Sequence, residues 1–326
     1  MIEKLLDRLD RVLALFVRHP LLCAFLIWMI LHLIRLSSCL FTGEDYFQIL
    51  ALQVRVHPIR FGVSQIMEIL VPLVFLFASR RIFTVTSRHL DFRINEGLNH
   101  VKQTQNVSVM GFTRLAEARD PDTGDHTLRI AHYSKLMAEE LASKSQYQKY
   151  ITPGYIEEIY ISAPLHDIGK VGIKDDVLLK EGRLTDKEFE IMKMHTIIGG
   201  NIIAELERKL NFRTFFTLGK EIAYHHHQKY NGRGYPNIFK GDIMLVEEGV
   251  GKPLVGDAIP LSARIVALAD VYDALVSKRC YKRAFSHETA CEIIQAERGE
   301  HFDPFLTDVF LESHGKFKDI RKQFGS

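Results

Sequence analysis

The chain of 326 residues is short of several things, and each shortage removes a class of protein. Its four cysteines, Cys23, Cys39, Cys280 and Cys291, contain no CxxC pair and are too few and too scattered for a disulfide framework within one domain. That excludes a disulfide-stapled scaffold and reads as ordinary reduced thiols of a cytosolic enzyme with a membrane part. Charge of either sign is not in excess, since the formal net charge is only +2. Bulk charge therefore demands neither nucleic acid nor an acidic partner. No internal repeat or low-complexity tract is present, and runs of alternating apolar and polar residues joined by NG or DG turns are missing. Strands are consequently few. What the chain does have is 47% hydrophobic residues, ample for a core in more than one domain.

The first apolar run, residues 21–34, is short against the twenty or so that a bilayer core requires. Lys4, Arg8, Arg11 and Arg18 precede it. Extending it through Leu36 and Leu40 includes Arg35, which can snorkel to an interface. A second run, 61–78, ends at Arg80 and Arg81 and contains Glu68 and Pro72, both costly in lipid unless turned inward. Basic residues at the two outer ends predict a hairpin with both termini in the cytoplasm, anchored in the inner membrane. A cleaved signal peptide competes for the first run, but no A-x-A cleavage site follows Ile34. A soluble domain with buried helices is the other competing reading. Beyond Thr84 the composition turns polar, and Leu90, Ile94, Leu98 and Val101 share a helical face. That fits a linker helix of the kind that pairs with its copy in a homodimer, or simply the first helix of the next domain. The expected division is a membrane hairpin over 1–83, a linker helix over 84–108 and a soluble domain over 109–326.

The soluble part reads as all-α. A turn at Asp120 to Gly124 leads into a helix over about 126–142. Thr185 and Glu188 form a capping box for a helix running past His195. Ser262 opens another helix with Ile265, Leu268, Tyr272 and Leu275 on one face, and Ser286 caps a further one. Within this frame, His166 and Asp167 stand side by side in the otherwise apolar run 159–173. A neutral imidazole beside hard carboxylate oxygens suits divalent iron, manganese or zinc. His126, His195, the triplet His225-His226-His227 and Asp270 are further candidates. Asp270 and His195 sit among apolar neighbours, where an uncompensated carboxylate or imidazole is hard to justify. A shared metal cluster accounts for all of them together. Asp122, four residues before His126, joins them if a helix begins at that turn. The His triplet remains open between a surface tract and a pair of ligands that bridges two metals.

Cationic groups follow. Lys170 lies just after the His-Asp pair, and Arg279, Lys282 and Arg283 follow the Asp270 helix. They suit phosphate oxygens, and they equally suit a helix C-terminus that complements the dipole. Between the His triplet and this basic stretch lies the loop NGRGYP at 231–236, in which Tyr235 offers a ring and a hydroxyl.

Together these residues resemble the HD-GYP family of cyclic di-GMP phosphodiesterases, a branch of the HD-domain metal-dependent phosphohydrolases. The carriers are HDIGK at 166–170, HTIIGG from His195, HHH at 225–227, NGRGYP at 231–236 and ADVYDAL at 269–275. Arg279 with Lys282, and HFDPFL at 301–306, extend the match, which covers roughly 109–310. The resemblance implies an HD-domain helical bundle with a C-terminal GYP-type extension, preceded here by the transmembrane hairpin and linker helix. It implies two or three divalent ions, usually iron or manganese, on His126, His166, Asp167, His195, His226, His227 and Asp270, with Asp122 where members with a third metal carry Glu. It implies phosphate contacts from Lys170, Arg279 and Lys282, and a groove lined by Tyr235. The implied reaction is in-line attack on cyclic di-GMP by a metal-activated hydroxide, oriented by Asp167, giving pGpG or GMP. Three departures stand out: Gln228 replaces the usual Glu, Asn231 replaces Asp, and 242–256 looks like an insertion. A non-catalytic cyclic di-GMP receptor, or a hydrolase of another cyclic dinucleotide or nucleotide, are the alternatives, the receptor being disfavoured by so complete a ligand set.

Overall fold

The computed structural model describes residues 26, 28–34, 37, 45–118, 125–236, 253–278 and 284–324. It divides into two compact units, Met1–Val101 and Lys102–Ser326. Among the described residues every regular element is helical, and the sole β feature is an isolated bridge between Arg298 and Phe302.

In the first unit, α1 (Tyr46–Val56) begins where the Asp45 carboxylate accepts hydrogen bonds from the amides of Phe47 and Gln48. Helix α2 (Pro58–Glu117) then runs without a break through the second apolar run and the segment expected as a linker. Its apolar part is long enough to cross a bilayer: residues 61–78 span about 27 Å at the helical rise. Among the described residues it is the one helix with the length and composition for this. Ile66, Val71, Phe75 and Phe77 expose their side chains, as suits an apolar surrounding rather than a protein core. Glu68, expected to need an inward orientation, turns toward His32, with 3.9 Å between its carboxylate and the imidazole. Gln65 also reaches His32, at 3.2 Å. Residues 1–25 and most of 35–44 fall outside the described residues, and of the first apolar run 26 and 28–34 are described.

The second unit is a helical bundle. It contains α3 (His126–Ala142), α4 (Pro153–Ser162), a 3-10 segment (Ala163–Gly172), α5 (Asp175–Leu178), α6 (Asp186–Arg208), α7 (Phe215–His225), α8 (Leu261–Val276), α9 (His287–Ala296) and α10 (Pro304–Phe324). Each start has a local cause. Thr152, Thr214 and Ser286 accept backbone N–H groups of α4, α7 and α9, and Thr185 with Glu188 closes a reciprocal box on α6. Asp303 accepts the Phe305 amide ahead of α10. The main core joins Ile130, Met137 and Leu141 of α3 to Ile159, Leu218, Ile222, Ile265 and Leu268. An aromatic cluster of Tyr133, Tyr272, Phe310 and Phe317 ties α3, α8 and α10 together, with ring centroids 4.9–5.5 Å apart. A smaller cluster of Leu165, Ile203, Phe215 and Ala223 supports the His-Asp segment.

The apolar run 159–173 is divided at Pro164, which lacks the N–H that would continue α4. The chain tightens there into the 3-10 segment, which carries the His-Asp pair. Helix α8 begins at Leu261, one residue before Ser262.

Candidate metal centre

Asp167 is the hub. It is buried, and its two oxygens face different partners. Oδ1 lies 3.2 Å from His195 Nε2 and 3.7 Å from His226 Nε2. Oδ2 lies 3.3 Å from His166 Nε2 and 2.8 Å from Lys170 Nζ. The 3-10 segment and α6 approach closely enough for this because Gly169 has no side chain. A Cβ there would sit 1.9 Å from the His195 carbonyl and 2.4 Å from the Gly199 amide nitrogen.

The imidazoles share one polarity. His166 Nδ1 meets the Ala163 carbonyl at 3.0 Å, His195 Nδ1 meets Met192 at 2.7 Å, and His226 Nδ1 meets Ile222 at 3.0 Å. His126 Nδ1 meets the Asp273 carboxylate at 2.7 Å. Each Nδ1 is thus committed as a donor, which fixes the tautomer with an unprotonated Nε2 turned inward. That is how metal-ligating histidines are held. Asp167 Oδ1, His195 Nε2 and His226 Nε2 are buried and make no hydrogen bond in this arrangement. Buried polar atoms left so are costly unless something else satisfies them, and a cation surrounded by these donors does so.

Two donor groups result. Asp167, His195, His226 and His227 form one, and His126, His166 and Asp270 the other. In each, the donor atoms lie within 4.8 Å of one another. The groups adjoin, with the His166 ring 5.5 Å from His126 and 5.2 Å from His226. His126 Nε2 and Asp270 Oδ1 are 3.6 Å apart. Nitrogen and hard oxygen donors in this mixture fit divalent metal ions. Of the triplet, His226 and His227 join the site; α7 ends at His225, which takes no part in either group.

Electrostatics agree with the geometry. Burial alone would raise the Asp167 carboxyl, but Lys170 and His166 hold it well below the usual carboxylate range. Burial pushes His195 down to about 4, and His227 falls well below its ordinary value through burial and its histidine neighbours. These rings are neutral near pH 7, the form in which imidazole binds metal.

Two functional residues went unnoticed in the sequence. Asp273, three residues after Asp270, accepts from His126 and also from Arg129, whose Nε lies 2.6 Å away. Both are buried, and burial outweighed by the His126 and Arg129 hydrogen bonds leaves Asp273 strongly acidic. A second carboxylate inside the apolar α8 was the available signal.

The GYP loop packs on the same site. Tyr235 stacks on His227 at 4.5 Å, and its N–H donates to the His227 carbonyl. Gly234 permits this, since a Cβ would meet that carbonyl oxygen at 2.2 Å. The two departures from the family pattern have partners of their own. Gln228 donates from Nε2 to the Pro236 carbonyl at 2.7 Å, which an ionised Glu could not do. Asn231 donates to Glu300 at 2.6 Å, where an Asp would face a like charge. Asp122, Arg279 and Lys282 lie outside the described residues, as does the greater part of the 242–256 insertion.

Comparison with known proteins agrees. A family model described as HD domain matches residues 123–275, and a second of the same description matches 245–306. A "Cyclic di-GMP phosphodiesterase" of Vibrio cholerae is 49% identical over 226 residues, covering 69% of this chain and 43% of the relative. The "Cyclic di-GMP phosphodiesterase response regulator RpfG" of Xanthomonas campestris is 35% identical over 237 residues, covering 73% and 55%. A "3'3'-cGAMP-specific phosphodiesterase 2" of Vibrio cholerae is 35% identical over 221 residues, covering 68% and 37%. The chain spans about half the length of the curated relatives it matches. With the His-Asp pair at the hub of an all-α bundle and these matches over its soluble unit, the chain belongs to the HD-domain family, in the HD-GYP branch whose motifs it carries.

Proposed function

We propose that this protein is a metal-dependent phosphodiesterase that hydrolyses cyclic di-GMP to pGpG or GMP in bacterial second-messenger signalling. The observation that carries the reading is the set of inward-turned Nε2 atoms around a two-faced Asp167. A receptor needs a pocket for the ligand; it has no physical need for two adjoining sets of buried, tautomer-fixed metal donors.

Two divalent ions, iron or manganese, would be held by His126, His166 and Asp270 on one side and by His195, His226 and His227 on the other, with Asp167 between them; a third depends on Asp122. When bound, such ions activate water and neutralise charge on phosphoryl oxygens. Asp167 orients the attacking water, and Lys170, at 2.8 Å from Asp167, is near enough to neutralise a phosphate drawn into the centre. Tyr235 contributes an aromatic face beside His227 on which a base or ribose can rest. Arg279 and Lys282 supply further phosphate contacts. Residues 1–83 anchor the chain in the inner membrane as a hairpin, 84–108 link it to the catalytic domain in the cytoplasm, and the linker pairs with a second copy. A reporter active only outside the cytoplasm is expected to work when fused after Gly43 and to be silent after Ser326; equal signals from both would overturn that topology.

The test is hydrolysis by the purified full chain, loaded with manganese or ferrous iron under reducing conditions, compared with Asp167→Ala. Turnover of cyclic di-GMP that Asp167→Ala abolishes is expected. Tight binding without turnover, unaffected by Asp167→Ala, would favour a receptor. The cGAMP-specific relative favours a second reading, hydrolysis of a different cyclic dinucleotide, and turnover of 3'3'-cGAMP in preference to cyclic di-GMP would select it.

A further inference from the structure

A third group of metal donors lies away from Asp167 and shares no residue with the centre described above. His287 and Cys291 are four residues apart on α9 and so share a face, and His314 of α10 packs against them. His287 Nε2 is 2.9 Å from His314 Nδ1 and 3.7 Å from Cys291 Sγ. The two imidazoles stack with centroids 5.1 Å apart.

We propose that His287 Nε2, Cys291 Sγ and His314 Nδ1 form a zinc site on the α9–α10 face, with a fourth position left to water. Bond lengths decide whether the geometry allows it. Tetrahedral zinc, with Zn–N about 2.05 Å and Zn–S about 2.3 Å, separates two nitrogens by about 3.4 Å and a nitrogen from sulfur by about 3.6 Å. The sulfur–nitrogen distance already fits, and the rings need part by only about half an ångström. His314 is exposed and can make that adjustment.

The second observation concerns His287 alone. Its Nδ1 lies 2.8 Å from the hydroxyl of Tyr272, a fully buried residue of α8. With the proton on Nδ1 and donated to that oxygen, Nε2 presents its lone pair to the other two donors. This is the outer-shell support that ligating histidines receive in metal sites. A mixed imidazole and thiolate set selects a borderline ion such as zinc over manganese, calcium or magnesium. Burial, His314 and Lys318 lower the His287 pKa, which keeps the ring neutral and ready to bind. Burial and Glu288 raise that of Cys291, so the free site holds a thiol. Zinc binding must then displace one proton from sulfur to solvent.

Cobalt(II) tests the site in the full chain, because the catalytic donors include no sulfur. A near-ultraviolet thiolate-to-cobalt charge-transfer band is expected on titration under reducing conditions, displaced by zinc. Cys291→Ser should remove the band, while Cys280→Ser and Asp167→Asn should keep it. His314→Gln, at an exposed position, should weaken cobalt binding about tenfold or more with an unchanged urea midpoint. Absence of the band from folded wild-type protein would overturn the proposal, leaving the two imidazoles as an ordinary hydrogen-bonded pair. So would a band that survives Cys291→Ser or disappears in Cys280→Ser.

Discussion

Asp273→Asn removes one charge from the interior and changes almost no volume. The native carboxylate takes donors on both oxygens. Oδ1 accepts from Arg129 Nε at 2.6 Å; Oδ2 accepts from Arg129 Nη2 at 2.9 Å, His126 Nδ1 at 2.7 Å and Ser277 Oγ at 3.3 Å. An asparagine offers one accepting oxygen and one NH2 group, so either orientation of the amide sets donor against donor. Arg129 is then a buried cation without a carboxylate, and breaking a buried pair from one side costs about 3–5 kcal/mol. That is a large fraction of the roughly 5–15 kcal/mol that stabilises a typical domain. The second consequence falls on His126, whose tautomer Asp273 fixes. Losing such an outer-shell partner lowers metal affinity by about 10–100-fold. Urea denaturation followed by far-ultraviolet circular dichroism reads the first effect, and manganese binding by equilibrium dialysis reads the second. A stability change under about 1 kcal/mol would refute the buried pair. A large stability loss with unaltered manganese affinity would leave Asp273 a structural residue only.

Gly169→Ala should cripple metal loading, because its Cβ would lie 1.9 Å from the His195 carbonyl and force the 3-10 segment away from α6; normal metal content in this variant would show that the close approach is not required. Restoring the family's usual residue with Gln228→Glu should destabilise by about 1–3 kcal/mol, as a carboxylate would face the Pro236 carbonyl in place of a donor. An unchanged urea midpoint would contradict it. Glu188 should titrate near 2, held down first by Lys180 and then by the Thr185 cap hydrogen bonds, and its carboxyl chemical shift against pH measures this. With the folded pKa depressed, the cap's contribution is complete above the ordinary glutamate range and disappears as pH falls through about 2; titration at an ordinary value would remove the ion pair from the account.

Much of the bundle was readable because its causes are local. Thr185 with Glu188, and Ser286 ahead of His287, are short-range signals that fix helix starts whatever the rest of the chain does. The metal donors were visible for the opposite reason: His195 and Asp270 are out of keeping with their apolar neighbours, and that mismatch survives in one dimension. What escaped depends on distant partners. Asp273 finds its role through His126 and Arg129, some 145 positions away in sequence; its apolar setting in α8 marks it as unusual without naming those partners. Spacing alone left open which histidines of the triplet point inward, because that is set by where α7 ends; only the family resemblance singled out His226 and His227. Gln228 and Asn231 are departures from the family pattern whose reasons, Pro236 and Glu300, lie in partners that the pattern does not name.

The centre is assembled against the ordinary rules of a helical core. Asp167, His166, His195 and His226 occupy positions where apolar side chains would stabilise the bundle without needing partners. Each imidazole is held on its Nδ1 side by a carbonyl one turn back in its own backbone, so the ring direction comes from the helix and costs no additional residue. The penalty is confined to the inward atoms. It is largest at Asp167, whose charge in a dry setting has Lys170 as its cationic neighbour among the described residues. In the proposed reaction Lys170 is also the residue that would receive a phosphate. Carboxylate and phosphate therefore compete for one ammonium until divalent cations supply the missing positive charge. On the proposed phosphodiesterase reading, that competition ties the burial of Asp167 to a need for cations at the centre before an anionic ligand can share Lys170.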